Sequence, residues 1–384
     1  MSKASHTAVE AMLAAHRPSE PVTCVWPEAI RAAARRFVAG FPGQVLYAVK
    51  ANPHPIVLAA LHQAGVERFD VASEAEMEQV HALFPDAPLY FHNPVKPRRT
   101  IHRAYRLYRV RHFVVDHPAE LAKVLAETDP SRIEIVVRMA TSPGSAAQEL
   151  SSKFGASPAE AVELLRAAAG AGAGAGLTFH LGTQCTGPAE YARAMERCGE
   201  VIAQAGVQVK CLDVGGGFPA PYAGQGHIPP LEDFFTVIRE AWKVLALDRC
   251  ELLCEPGRAL VAGACSVAVQ VRLRNGDRLH ISDGPCGSLG DLWYQKRAAP
   301  VRLLRPAGVP ACACAWFTLV GPLGPDCDDE LPVQFPLPET VREGDWIEIG
   351  ELGAYAANMA MDLQRYHTDP FAVMTDRPFW TEPA

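Results

Sequence analysis

Lys50 closes an apolar run, QVLYAVK (44–50), and Ala51-Asn52-Pro53 after it stops a strand and starts a helix. A lysine placed there is partly desolvated, which disfavours the ammonium, lowers its pKa and makes the amine a nucleophile for carbonyl carbons. From this segment alone, a lysine snorkelling from a strand end to water fits equally well. Gly215-Gly216-Gly217 follows KCLDV and precedes Phe218-Pro219. Three glycines after a strand leave backbone N–H groups that can surround an anion, although a glycine turn without a ligand reads the same. Glu255-Pro256-Gly257-Arg258 follows another run and sets a carboxylate beside a second phosphate-binding candidate, Arg258. One lysine, one anion nest and one carboxylate are what pyridoxal 5′-phosphate needs: a Schiff-base amine, a phosphate cradle and an acid for the pyridinium nitrogen.

These residues need strands that end together. Eight short apolar runs recur: QVLYAVK (44–50), RFDVAS (68–73), PLYFHN (88–93), HFVVDH (112–117), IEIVVRM (133–139), LTFHLG (177–182), KCLDVGGG (210–217) and ELLCEPG (251–257). Ala-, Leu- and Glu-rich stretches of helical length separate them. Such alternation argues for parallel strands joined by right-handed crossovers, and eight units close into a (βα)8 TIM barrel with its catalytic groups at the C-terminal strand ends. Those ends carry Lys50, Asp70, Asn93, Asp116, Arg138, His180, Gly215 to Gly217 and Glu255.

The expected fold is therefore α/β: a barrel over residues 28–257, followed by a β domain over 258–384. In the second part, SVAVQVRLRNGDRLHIS alternates apolar and polar residues around Asn275-Gly276, a strong hairpin signal. The early segment PVTCVWP (21–27) is apolar enough to pair with this domain, which then draws on residues 1–27 as well. GAGAGAG (170–176) reads as a flexible loop before the sixth strand rather than as a dinucleotide fingerprint, which follows a strand and opens a helix. The chain has 384 residues, 49% of them hydrophobic, and a net charge of −7 with no basic stripe, so small molecules are expected partners rather than nucleic acid. It has no run long enough to span a bilayer, and the N-terminal residues lack the pattern of a signal peptide, which points to the cytoplasm. Eleven cysteines are sparse and irregular at this length and read as reduced, mostly buried thiols. Neither HExxH nor EF-hand spacing occurs, so no catalytic metal is expected.

In order along the chain, YAVKAN, FDVAS, SSKFG, FHLGTQC, LDVGGGFP, CEPGR, DGPCGS, GPDCDD and GAYA resemble the ornithine/diaminopimelate/arginine decarboxylase family, pyridoxal-phosphate enzymes of fold type III with the alanine-racemase-type barrel. The resemblance runs from about residue 24 to 366 and implies roles residue by residue. Lys50 would carry the cofactor, His180 would stack on its ring, and Glu255 would pair with the ring nitrogen. Gly215, Gly216, Gly217, Gly257, Arg258, Tyr355 and Thr183, which stands where the family usually has serine, resemble the phosphate-binding set. Asp70, Glu76, Arg138 and Lys153 match supporting positions, each of which is also consistent with a structural salt bridge. Cys327 and Asp328 match a pair that the family sends into the partner subunit's site, so the resemblance implies a homodimer with shared active sites. A thiol with a pKa of about 8.5 is a suitable proton donor near neutral pH, although this acidic cluster would also read as a solvated loop.

The segment DGPCGSLGDLWYQ departs from the family pattern. It ends in Tyr294-Gln295 where ornithine decarboxylases have Tyr-Asp, so one of two carboxylates expected to bind the substrate's distal amine is neutral. The implied activity is decarboxylation of a basic amino acid, ornithine first. The alternatives are a conjugated or carboxylated diamino acid from siderophore or polyamine assembly, diaminopimelate, a racemase or a non-catalytic homologue.

Overall fold

The computed structural model describes residues 5–6, 8–141, 144, 146–148, 153–247, 249–304, 313–322, 329–356 and 371–381. Two compact units emerge: Ala33–Pro219 with Ile228–Ala259, and Met1–Ala32 with Ala220–His227 and Leu260–Ala384.

The first unit is a closed barrel of eight parallel strands: β1 (Gln44–Ala48), β2 (Arg68–Val71), β3 (Leu89–Phe91), β4 (His112–Val115), β5 (Glu134–Met139), β6 (Gly174–Phe179), β7 (Val209–Asp213) and β8 (Glu251–Cys254). They neighbour one another in chain order, and β8 closes on β1 through Leu253↔Gln44 and Cys254↔Val45. The strands read as unbroken apolar runs because crossover helices cover their outer faces while the barrel interior buries the other. Proline opens the helices Pro55–Gln63, Pro118–Glu127, Pro158–Gly170 and Pro188–Ala205, at the one helical turn where its missing N–H costs nothing. Ser157 and Glu160 complete a capping box on the third of these.

Inside the barrel, Leu46, Tyr90, Val114, Val136, Cys211 and Leu253 form one apolar layer, a residue from each of six strands. Side chains alternate faces along a strand, so the next inward positions are Ala48, His92, Asp116, Arg138, Asp213 and Glu255. The apolar floor and the polar mouth of the barrel are thus separated by a single pleat.

The run GAGAGAG is a loop only at Ala171 to Ala173. Gly170 ends a helix, and Gly174 to Gly176 already belong to β6. The reason is steric: a Cβ on Gly176 would stand 2.5 Å from the Cys211 sulfur of β7, so glycine lets these strands approach where alternation alone would demand a side chain.

The second unit contains a nine-stranded mixed sheet with the order Ser5–His6, Phe371–Met374, Val22–Val25, Cys265–Asn275, Arg278–Ile281, Cys314–Val320, Glu330–Pro338; Trp346–Ile349 joins Cys265–Asn275 to Val301–Leu304 off this path. The early segment does pair here: Val22–Val25 runs antiparallel to Cys265–Asn275 and parallel to Phe371–Met374. The hairpin forms one residue later than its sequence signal, because Asn275 is still paired with Arg278 and the turn is Gly276-Asp277, with Gly276 at φ 62°.

The tight β6–β7 approach makes a stability prediction. Gly176→Ala should cost about 1–3 kcal/mol in urea unfolding, and Cys211→Ala in the same chain should recover part of that loss. Strict additivity of the two changes would show that the Cys211 contact is not the cause.

Candidate active site

The C-terminal ends of the strands gather Lys50, Asp70, Arg138, His180, Asp213 and Glu255 in the barrel unit. Lys50 lies on a short 3-10 turn, Val49–Ala51, directly after β1. Its ammonium is 3.8 Å from Asp70 Oδ2, with the lysine side chain 44% exposed and the aspartate 3%. The desolvation expected at Lys50 therefore falls on its partner: burial, and then the nearby charge of Glu255, push the Asp70 carboxyl up to about 6, against the opposing pull of Lys50, His92 and Arg138. Glu76 caps the helix that follows β2, accepting from the Ala72 N–H while its own N–H reaches Ser73 Oγ. Lys153 lies with its ammonium 5.1 Å from the Phe154 ring centroid, and the Arg138 guanidinium is 5.3 Å from the same ring. Asp116 holds that segment by accepting from the Gly155 N–H at 2.9 Å.

His180 follows β6. Its Nδ1 accepts from the Gly182 N–H at 3.0 Å, which fixes the ring and puts any single proton on Nε2. Burial, reinforced by Arg138 and Lys50, drives its pKa well down, so the imidazole is neutral and suits stacking on a flat ring.

The glycine triplet has the backbone and the crowding of a cradle. Gly215 and Gly217 have φ 67° and 94°, the alternation that turns successive N–H groups to one side. A Cβ would meet the Phe179 oxygen at 2.1 Å from Gly215, the Glu255 oxygen at 2.8 Å from Gly216 and the Gly182 oxygen at 2.4 Å from Gly217. Gly215 N–H, however, donates to Asp213 Oδ1 at 2.8 Å, so this glycine holds the turn rather than an anion. Gly257 packs as tightly, its Cβ position lying 2.8 Å from that of Ala51. Thr183 begins a short strand paired with Ala146–Gln148, and Arg258 is buried at the start of the next helix. A lysine, a neutral ring, a buried carboxylate and a cradle from which side chains are sterically barred together fit pyridoxal phosphate.

Three residues were missed by the sequence reading. His92, not Asn93, is the polar residue that faces the buried carboxylates at the end of β3: its Nδ1 meets Glu255 Oε1 in a very short contact and lies 3.4 Å from Asp213 Oδ2. Asn93 instead donates to the Ala72 carbonyl at 3.3 Å. The signal was available, because counting inward positions in twos from Tyr90 reaches His92, and from Cys211 reaches Asp213. Lys96 is fully buried, bonded to the carbonyls of Asn93 and Val114 and 3.1 Å from Glu120 Oε1. It ties down the loop that carries His92.

Tyr294, Gln295 and Tyr355 belong to the second unit. Gln295 donates its amide to Asp291 Oδ1 at 2.6 Å, while Arg297 takes the other oxygen of Asp291 and stacks on Tyr222 at 3.8 Å. Tyr355 adopts a left-handed backbone, φ 63°. Cys327 and Asp328 lie outside the described residues.

The pyridoxal-binding domain that defines the pyridoxal-dependent decarboxylases matches residues 28–262. The chain belongs to that family. Among its relatives, the lysine/ornithine decarboxylase of Selenomonas ruminantium is 32% identical over 345 residues, covering 87% of this chain and 84% of the relative. The ornithine decarboxylase of Panagrellus redivivus is 32% identical over 346 residues, covering 81% and 75%. The lysine/ornithine decarboxylase of Vibrio vulnificus, solved with putrescine, superposes with a TM-score of 0.81 at 27% identity over 95% of this chain and 97% of that one. The protein is thus a pyridoxal-phosphate-dependent carboxy-lyase of fold type III. Among the described residues, no helix is long and apolar enough to cross a membrane.

Lys96 gives a pH-dependent prediction. Burial outweighs its carboxylate partner and lowers its pKa to about 8 from 10.5. Between those values the folded chain binds fewer protons than the unfolded one, so this lysine's stability term is whole above about pH 10.5 and is lost as pH falls through about 8. Lys96→Met should remove that slope and cost about 3 kcal/mol through the carbonyls and Glu120 it strands. Urea midpoints that follow pH as in wild type would refute this account of Lys96.

Proposed function

We propose that the enzyme decarboxylates a free basic amino acid, with ornithine the first candidate and lysine the next. What carries this reading is the meeting of Lys50, His180, Glu255 and the glycine cradle at one end of the barrel. Its support on the substrate side is that relatives alike over most of the chain are named for ornithine and lysine. Lys50 is the amine that holds the cofactor aldehyde, and Asp70 at 3.8 Å pairs with its ammonium. His180 supports the ring face, Glu255 accepts from the ring nitrogen, and Gly216, Gly217, Thr183 and Arg258 hold the phosphate. The bound cofactor supplies an electron sink for the pair left behind when CO2 departs.

Cys327 then returns a proton to the substrate carbon, and Asp328 binds the distal ammonium, both entering the partner subunit's site in a homodimer. Gln295 takes a secondary part. Its amide N–H donates to Asp291, and its carbonyl oxygen, neutral and the amide's one acceptor, is all it can offer an ammonium. Asp328 therefore carries most of that charge recognition. Nine cysteines among the described residues are outside any disulfide, in keeping with a reducing cytoplasm.

The test is CO2 release across L-ornithine, L-lysine, L-arginine, meso-diaminopimelate and citryl-linked diamino acids. Ornithine or lysine should lead, and Asp328→Asn should lower their kcat/KM about 100-fold or more, since an ammonium left facing no carboxylate costs several kcal/mol. Inactivity on every free diamino acid, with clear release from a conjugated one, would overturn the proposal. The shared site is checked by mixing Lys50→Ala and Cys327→Ala subunits, which should restore about a quarter of wild-type activity because half of the dimers carry one intact site.

A further inference from the structure

His92 leaves β3 on the same inward face as Tyr90, whose ring it meets edge-on at 5.6 Å. Its side chain is 2% exposed, and Nδ1 is turned to two carboxylates at once, Glu255 Oε1 and, at 3.4 Å, Asp213 Oδ2. Those two are themselves 8% and 0% exposed. A bare nitrogen lone pair in that position would face two sets of oxygen lone pairs, so Nδ1 carries a proton. The surrounding charges decide whether Nε2 carries one too. Asp70 adds a third carboxylate from β2, with Lys50 and Arg138 the cations facing it. Burial works against the imidazolium, but Glu255 and Asp213 prevail and raise the His92 pKa to about 10.

From the other side of the contact, burial and the charge of Asp213 both favour a proton on Glu255, and His92 is the first of the groups that oppose it. A carboxylic acid at that position would be a poor partner for a protonated pyridine nitrogen. The nitrogen is held protonated by an anion, and an anion this deep needs a fixed cation beside it.

We infer that His92 is a positioning residue, an imidazolium clamped between Asp213 and Glu255 that keeps Glu255 ionised, occupies its Oε1 and presents Oε2 to the ring nitrogen of the cofactor. The inference rests on the pyridoxal-phosphate reading of the site. It assigns the ring's electron-sink strength to a chain of three side chains on β3, β7 and β8 rather than to Glu255 alone. Lys96 belongs to the same arrangement at one remove, since it fixes the loop on which His92 stands.

Two variants separate charge from hydrogen bonding. His92→Asn keeps a donor near Nδ1 without charge, and His92→Leu removes both. In cofactor-free wild type carrying isotope-labelled histidine, the His92 ring resonance should remain that of an imidazolium up to about pH 9. A ring that is neutral at pH 8 would overturn the inference without any variant. In the loaded enzyme, His92→Asn should retain its cofactor and keep KM within about twofold while kcat falls about tenfold, and the pH dependence of its visible absorption should shift. His92→Leu should be slower still. Variants that match wild type in kcat and absorption, or that only shed cofactor with Asn doing no better than Leu, would make His92 structural and end the proposal. A wild-type protein that takes up no pyridoxal phosphate would defeat the functional reading first, whereas normal uptake with unchanged variants would defeat this inference alone.

Discussion

Asp70, Asp213 and Glu255 are buried side by side at the mouth of the barrel, at 2%, 0% and 7% exposure. Three carboxylates out of water are costly unless cations share the space, and the rest of the site is arranged around that need. Lys50 faces Asp70, His92 faces Glu255 and Asp213, and Arg138 is pulled on by all three. In the proposed chemistry two of these cations have a second part: Lys50 would hold the cofactor aldehyde, and His92 would keep Glu255 ionised. Loss of any of them would leave an anion unmatched, so catalytic geometry and local stability are coupled here.

The barrel makes the cluster possible by register. Parallel strands repeat their inward positions every second residue, so a floor of six apolar side chains fixes where the next six must point. Tyr90 leads to His92, Val136 to Arg138, Cys211 to Asp213 and Leu253 to Glu255. A one-residue slip of any strand would turn its functional group outward and its neighbour inward. The close approach of β6 to β7 at Gly176 belongs to the same constraint, since a side chain there would part the strands that bring His180 and Asp213 together.

Much of this was readable from the sequence because parallel strands advertise themselves as apolar runs and the barrel puts chemistry where those runs stop. Lys50, Asp70, Arg138, His180 and Glu255 are legible that way as residues of the strand ends, where the structure also places them. His92 is hard to see in the sequence because Asn93 is the last polar residue of its run, whereas the pleat turns the residue before it inward. Lys96 was invisible because NPVKPRR looks like a solvated turn; only the folded chain shows three carbonyls and Glu120 enclosing its ammonium. The glycine-rich run misled because composition signals flexibility, while packing against Cys211 demanded the missing side chains. Gln295 shows the opposite limit: its neutrality was legible, but the sequence does not show that Asp291 is shared between Gln295 and Arg297.

The account stands on Lys50 as the residue that holds pyridoxal phosphate. Reduction of the loaded enzyme with borohydride, followed by digestion and mass analysis, reads that attachment directly. The account predicts the reduced cofactor on the peptide containing Lys50. Its appearance on a peptide containing Lys96 or Lys153 instead, or on no peptide, would contradict it.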